Sequence, residues 1–246
     1  MTRTTRVRGV FVTGTDTGIG KTLVSCALAA WCRRLGLRVG VMKPVATGGD
    51  DDARRLMRAA GSREPVSLIN PLNFHEPMAP WIAARRAGRT MRLEAVIRAF
   101  RTLSARHDVM IVEGVGGLLV PLTERVTVAD LAQRLGLPLV VVARAGLGTI
   151  NHTVLTCRWA RQQRLPVCGV VLNQADRRPL ERMARIVIQT NPPALRRLTQ
   201  VPVMGPLPHL SAASRQSPGA LADWLETGVG KASLTQLLVC AKVTSQ

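Results

Sequence analysis

Residues 8–22, Arg-Gly-Val-Phe-Val-Thr-Gly-Thr-Asp-Thr-Gly-Ile-Gly-Lys-Thr, constrain this chain more than any other stretch. Val10 to Val12 reads as a short buried strand. A glycine-rich turn follows, from Gly14 through Gly18 and Ile19 to Gly20. Lys21, Thr22 and Leu23 then open a long apolar helical pattern. A strand, a glycine turn, Lys-Thr and a helix, in that order, are the makings of a phosphate-binding loop. Backbone N–H groups of the turn and the helix start converge on one spot and favour an anion there. In that reading Lys21 reaches the outer phosphates and the Thr22 hydroxyl ligates Mg²⁺. One detail departs from the common form. Five residues separate Gly14 from Gly20, where the common spacer has four.

The chain has 246 residues, 46% of them hydrophobic, enough for one α/β domain with its own core. No apolar run approaches the roughly 18–20 residues of a membrane helix. A cleaved leader would remove half of the loop motif, so a cytoplasmic protein is expected. Five scattered cysteines, Cys26, Cys32, Cys157, Cys168 and Cys240, contain no C-x-x-C pair. They are expected to be reduced core thiols, neither disulfides nor zinc ligands. With 34 basic and 15 acidic residues the net charge is +19. Such a balance can mark a polyanion-binding surface. Here the basic residues are nearly all arginines spread over several helices, among them Arg54, Arg55, Arg58, Arg85, Arg98 and Arg101. They read as solvated helix faces. Only Lys21, Lys43, Lys231 and Lys242 are lysines. Two of the four fall in stretches suited to phosphate, where a compact ammonium and a guanidinium fork are not interchangeable.

The rest of the chain alternates strand and helix patterns. Thr22 to Leu35 is apolar nearly all round, as in a helix packed deep against a sheet. Val39 to Met42 is the second strand and delivers Lys43 to its carboxyl end, where open α/β sheets bind ligands. Asp50, Asp51 and Asp52 precede a helix, and either cap it or reach a metal ion. Residues 62–92, rich in proline, read as an excursion with short helices near the substrate. Asp108 to Val112 is a buried strand ending in Glu113-Gly114-Val115-Gly116-Gly117, an acid at a strand tip with room beside it for a ligand. Pro138 to Ala143 is the next strand. The turn Gly146 to His152 is expected to lead into a helix starting at Thr153. Val167 to Leu172 ends in Asn173, placed to grip a purine edge. Val201 to Met204 is a last strand. A small helix is expected near Leu221 to Leu225. The alternation implies a single-domain P-loop-type α/β fold, a mostly parallel sheet with helices on both faces. Residues 1–225 form that domain, and 226–246 a C-terminal tail of unknown role.

Four segments together resemble dethiobiotin synthetase, an ATP-dependent enzyme of biotin synthesis. They are Gly14-Thr15-Asp16-Thr17-x-x-Gly20-Lys21-Thr22, Lys43-Pro44-Val45, Val112 to Gly117, and Gly148-Thr149-Ile150-Asn151-His152. The resemblance covers the chain from the first strand to about Leu210, and the five-residue spacer is that family's own variant. It implies ATP and Mg²⁺, with 7,8-diaminononanoate and CO₂ closed into a cyclic urea. It implies Thr22, Asp52 and Glu113 as the Mg²⁺ set and Lys43, with Lys21, as the catalytic lysines. Gly18, Ile19, Gly20, Leu23, Gly114 and Val115 would border the nucleotide, and Asn173, Pro208, His209 and Leu210 its adenine. Thr17, Thr47 and Gly116 would hold the diamine and its carbamate. Gly148, Thr149, Ile150 and Asn151 would bind the substrate carboxylate across a homodimer interface.

Two departures stand out. Gly18 replaces a glutamate found in some members. Gln174 and Asp176 sit where a guanine-reading motif has lysine and aspartate, which leaves the choice of base open. The competing reading is a partition-type ATPase whose basic surface binds DNA. Those proteins usually carry a signature lysine five residues before the loop lysine, and that position here is Asp16. A nucleic-acid partner is therefore not expected.

Overall fold

The computed structural model describes residues 8–174 and 181–242. Its first half runs β1 (Gly9–Gly14), α1 (Lys21–Arg34), β2 (Val39–Met42), β3 (Val45–Thr47), α2 (Asp51–Ala60), α3 (Val66–Ile69), β4 (Leu72–Phe74), α4 (Pro80–Arg86), α5 (Leu93–Ser104) and β5 (Val109–Gly117). The second half adds α6 (Val128–Leu135), β6 (Leu139–Arg144), α7 (Thr149–Gln162), β7 (Val167–Asn173), α8 (Arg182–Thr199), β8 (Val203–Leu207), α9 (Pro218–Val229) and α10 (Lys231–Cys240).

Six strands form one sheet in the order β2-β5-β1-β6-β7-β8, every neighbour pair parallel. Parallel strands require crossovers, and the crossovers put helices over both faces. The burial pattern shows this directly. Val140 and Val142 of β6 pack into the larger apolar cluster, which includes α1. Val141 and Ala143, the residues between, pack into a second cluster with Cys157 of α7 and Ile188 and Leu195 of α8. Alternate side chains of one strand thus feed opposite layers.

All carboxyl strand ends lie along one edge, and the chain reverses direction across the sheet at β1. Ligands bind at such a switch point. Register then decides which side chains meet. Met42 pairs with Val112, so the next residues along, Lys43 and Glu113, are brought side by side. Val12 pairs with Glu113, which sets that carboxylate beside the strand that feeds the glycine loop.

Several expectations need correction. Val45–Thr47, read as loop, is a strand pairing in parallel with Leu72–Phe74 inside the proline-rich excursion. Three-residue strands leave too short a pattern to be legible. Helix α7 begins at Thr149, a full turn before Thr153, with left-handed Gly148 as its N-cap. The proposed boundary at 225/226 falls inside α9. Beyond it, Leu234, Leu237 and Leu238 are buried, and Gly9 N–H donates to Ala241 O at the amino end of β1. Helix α10 and Ala241 are therefore woven into the side of the sheet opposite the glycine loop. Among the described residues no helix is long and apolar enough to cross a membrane.

The cysteine reading is also corrected. Cys168 on β7 and Cys240 at the end of α10 form a disulfide across 72 residues of sequence. Cys26, Cys32 and Cys157 are free and buried. Spacing could not reveal the pair, because the two Cα atoms come within bridging distance only once α10 docks. Closing so long a loop limits the unfolded chain and is worth about 2–4 kcal/mol. Thiol titration of protein unfolded without reductant should therefore find three reactive thiols, and five after reduction. Reduction should also lower the melting temperature by several degrees. Five thiols before reduction would show the pair to be open.

Candidate active site

The glycine loop spans the gap between β1 and α1. Gly18 and Gly20 both take left-handed backbone conformations, with φ of 69° and 98°. Gly20 has a second reason to be glycine. A Cβ there would run into the side-chain amide of Asn173. Asn173 Nδ2 in turn donates to Ile19 O at 2.9 Å, so the end of β7 is stitched to the loop. The other amide atom, Asn173 Oδ1, is buried without a hydrogen-bond partner. A buried carbonyl oxygen in that state is costly unless a donor arrives.

Lys21 is buried at the loop's heart, its Nζ donating to Asp16 O at 2.7 Å. Burial, and after it repulsion from Lys43, pulls its pKa down to about 8. An ammonium held this way gains strongly from an incoming anion. Asp16 also pairs with Arg144 at 3.0 Å.

A compact polar cluster fills the adjoining strand ends. Lys43, 4% exposed, donates to Glu113 Oε1 at 2.6 Å and to Gly114 O at 3.2 Å, and lies 3.0 Å from Asp52 Oδ2. The Thr22 hydroxyl lies 2.8 Å from Glu113 Oε1 and 3.0 Å from Asp52 Oδ1. Burial opposes the charge on Lys43, yet Glu113 and Asp52 overcome it and raise its pKa. Burial likewise opposes Asp52, and Lys43 and Thr22 outweigh it, so its pKa falls. Both partners are thus ionised at neutral pH. Glu113, 1% exposed, keeps Oε2 without a partner.

The donor set suits a hard divalent cation: two carboxylates and a hydroxyl converge, and one buried carboxylate oxygen is unspent. Among the described residues no three His, Cys, Asp or Glu side chains gather at one point. Any ion here would therefore take its remaining oxygens from ligand and water, as Mg²⁺ commonly does with nucleotides.

One cavity of roughly 410 Å³ gathers most of the expected residues: Thr17, Gly18, Gly20, Lys21, Thr22, Leu23, Lys43, Thr47, Asp52, Glu113, Val115, Gly116, Asn173 and Leu210. Gly114 enters through its carbonyl. Ile19 faces a neighbouring apolar cavity with Met183 and Val187 of α8. Pro208 and His209 stand behind Leu210: Pro208 O accepts from the Trp224 indole, and His209 contacts Arg215. Gly148, Thr149, Ile150 and Asn151 are not in the cavity of their own chain. They form the first turn of α7, with Ile150 and Asn151 exposed. Asp176 lies outside the described residues. Arg55 and Arg215 line the cavity without having been given a site role from the sequence, and Gln174, noted there only as a departure from a guanine-reading motif, lines it too. The signal for Arg55 was its place three residues after Asp52 on one helix.

A parallel sheet with a glycine loop after its central strand, and a lysine and acid at adjoining strand ends, defines a phosphate-loop nucleotide-binding protein. Solved structures agree on the fold. The MinD cell division protein of Aquifex aeolicus matches at a TM-score of 0.57, covering 97% of this chain and 98% of that one, at 10% identity. The MinD protein of Pyrococcus horikoshii, complexed with Mg-ADP, matches at 0.55, covering 94% of each at 12% identity. A family model described as an AAA domain matches residues 8–217. Among curated relatives, the ATP-dependent dethiobiotin synthetase BioD of Anaeromyxobacter dehalogenans strain 2CP-C is 54% identical over 172 residues, 68% of this chain and 77% of the relative. The protein of the same name from Bacillus licheniformis is 42% identical over 213 residues, 85% of this chain and 88% of the relative. The chain belongs to the ATP-dependent dethiobiotin synthetase family.

Gly20→Ala should weaken nucleotide binding at least tenfold by titration calorimetry, since a left-handed alanine costs about 1–2 kcal/mol before the Asn173 clash is counted. Adding Asn173→Ala removes the clash but not the backbone strain, so the double variant should recover none of the lost affinity beyond the clash term. Full recovery would mean the conformation at Gly20 is unimportant.

Proposed function

We propose that this protein closes the ureido ring of dethiobiotin from 7,8-diaminononanoate and CO₂, consuming ATP. The observation that carries the reading is the buried Lys43 ammonium between Glu113 and Asp52, at the mouth of the glycine loop. An amine of the substrate takes up CO₂ and loses a proton, giving a carbamate. A carbamate oxygen attacks the γ-phosphorus of ATP, and ADP departs. The second amine attacks the carbamoyl carbon of the mixed anhydride, and phosphate departs with ring closure. Two anions must meet in the first transfer. Lys21 and Lys43 supply fixed positive charge at their junction, which is worth most in a site withdrawn from water. Thr22, Asp52 and Glu113 would hold Mg²⁺, which when bound offsets phosphate charge. Thr17, Thr47 and Gly116 border the side of the cavity where the diamine would lie. Asn173, with its unspent carbonyl, would take the N–H edge of the base, backed by Leu210, Pro208 and His209. Adenine, an N–H donor at its exocyclic amine, fits that acceptor.

We further propose a homodimer. Leu147 and Met183, 87% and 66% exposed, line one hollow beside the start of α7, and Leu155 and Leu119, 59% and 58% exposed, line a second beside α7 with Trp159. Grouped apolar exposure of this kind marks an interface. It would bring Gly148, Thr149, Ile150 and Asn151 to the partner's substrate. A cytoplasmic setting suits an ATP-consuming biosynthetic enzyme, and there the Cys168–Cys240 bond would face a reducing thiol pool. The DNA-binding reading is disfavoured by the arginines themselves. Arg34, Arg38, Arg54, Arg86 and Arg106 each pair with a carboxylate, on elements spread around the molecule.

Incubation with the diamine, bicarbonate and Mg·ATP should yield dethiobiotin by mass spectrometry. No product, together with steeply salt-dependent DNA binding, would reject the assignment. Lys43→Ala should abolish turnover yet retain nucleotide binding. It leaves Glu113 buried without its counter-ion, a cost of about 3–5 kcal/mol. Its melting temperature should therefore drop sharply, and Mg·ATP should restore much of the loss. Leu155→Arg should shift the protein toward monomer by light scattering and raise the KM for the diamine.

A further inference from the structure

We propose that Arg55 grips the polyphosphate of bound nucleotide from the α2 side and sets nucleotide affinity. The inference rests on the nucleotide site proposed above, but not on the identity of the second substrate. Arg55 is half-buried, lines the 410 Å³ cavity, and makes no hydrogen bond or ion pair among the described residues. Its neighbour Arg54, exposed on the same helix, is paired with Asp50 at 2.8 Å. A guanidinium turned inward and left unmatched is the less expected state, because its planar fork carries five donors.

The charges that line the cavity show what this guanidinium is for. Lys21 and Lys43 are balanced in number by Asp52 and Glu113. Lys43 is moreover saturated by two carboxylates and the Gly114 carbonyl. The net positive charge of the lining therefore comes from Arg55 and Arg215. Arg215 is anchored at the rim by Leu210 O, at 2.9 Å, and by His209. Arg58, one turn after Arg55, donates to Gln216 beside Arg215. That contact ties α2 to the 3₁₀ turn Ser214–Gln216, so both guanidiniums are presented at one rim.

Position identifies the part of the nucleotide. Arg55 follows Asp52 by three residues on α2, and Asp52 Oδ1 lies 3.0 Å from the Thr22 hydroxyl in the first turn of α1; Arg55 lines the same cavity as Lys21, Thr22 and Leu23. Arg55 therefore flanks the first turns of α1, whose backbone N–H groups receive the phosphates from the other side. The fork can engage two phosphate oxygens at once, which an ammonium cannot. The contact belongs to the polyphosphate common to ATP and ADP, since the metal and lysine cluster already occupies the transfer end.

The test is Arg55→Ala and Arg55→Lys, with Arg54→Ala as control, in the full chain. Because Arg55 makes no hydrogen bond or ion pair among the described residues, the Arg55 variants should melt within about a degree of the parent. Calorimetry with ADP and with ATP should show a loss of about tenfold to a hundredfold in affinity for both with alanine, the scale of a lost charged hydrogen bond. Lysine should recover only part of it. In the product assay the KM for ATP should rise by a similar factor, kcat should fall far less, and the KM for the diamine should stay put. Arg54→Ala should match the parent throughout. Unchanged ADP affinity in Arg55→Ala, in protein that still makes dethiobiotin, overturns the Arg55 proposal and leaves the enzymatic assignment standing. Weakened ADP binding in protein that makes no dethiobiotin supports Arg55 and sinks the assignment instead.

Discussion

Everything at the working edge of this protein depends on one buried contact, the Lys43 ammonium 2.6 Å from Glu113. Neither charge could be left in that position alone, since each is withdrawn from water by the sheet and its helices. Together they hold the ends of β2 and β5 at a common height. Thr22 and Asp52 close the arrangement from α1 and α2. Four elements that are far apart in sequence thus share one set of hydrogen bonds. The same set of oxygen atoms is suited to an ion and the same ammonium to phosphate, so the interactions that assemble the site are those that a Mg-nucleotide would rearrange.

The glycine loop is the second constraint, and it is coupled to the first. Lys21 is held by the loop's own carbonyl at Asp16, with its pKa pulled to about 8. Asp16 is clasped from β6 by Arg144. Asn173 reaches from β7 to Ile19. The loop is therefore set by the strands on its side of the sheet before any phosphate arrives, which limits the ordering cost of binding. Gly20 permits this, because any side chain there would push the asparagine away.

Much of this was legible in the chain. The strands that feed the loop, Lys43, Glu113 and Asn173 are continuous apolar runs ending in a polar residue, a pattern that survives without any knowledge of neighbours. Asp52 was one of three adjacent aspartates, and its contacts with Thr22 and Lys43 in the folded chain distinguish it. Arg55 was hidden among many arginines, because helical spacing shows that residues share a face but not what the face meets. The strands β3 and β4 were too short to read, and α10 carried no motif at all. Its burial depends on the amino ends of β1 and β7, which only the assembled sheet provides.

The sequence by itself determined the phosphate loop, the alternation of the six main-sheet strands with helices, and the residue types able to manage an anion and a metal. These follow from local rules of backbone freedom, periodicity and strand-end position. The tertiary structure decided which of those residues meet. Strand register set Lys43 beside Glu113, the docking of α2 selected Asp52 and turned Arg55 inward, and the return of α10 joined Cys240 to Cys168. The physical reason is that local preferences act over a few residues. Charge pairing, burial and cross-linking act through space, and those distances exist only after the chain has folded.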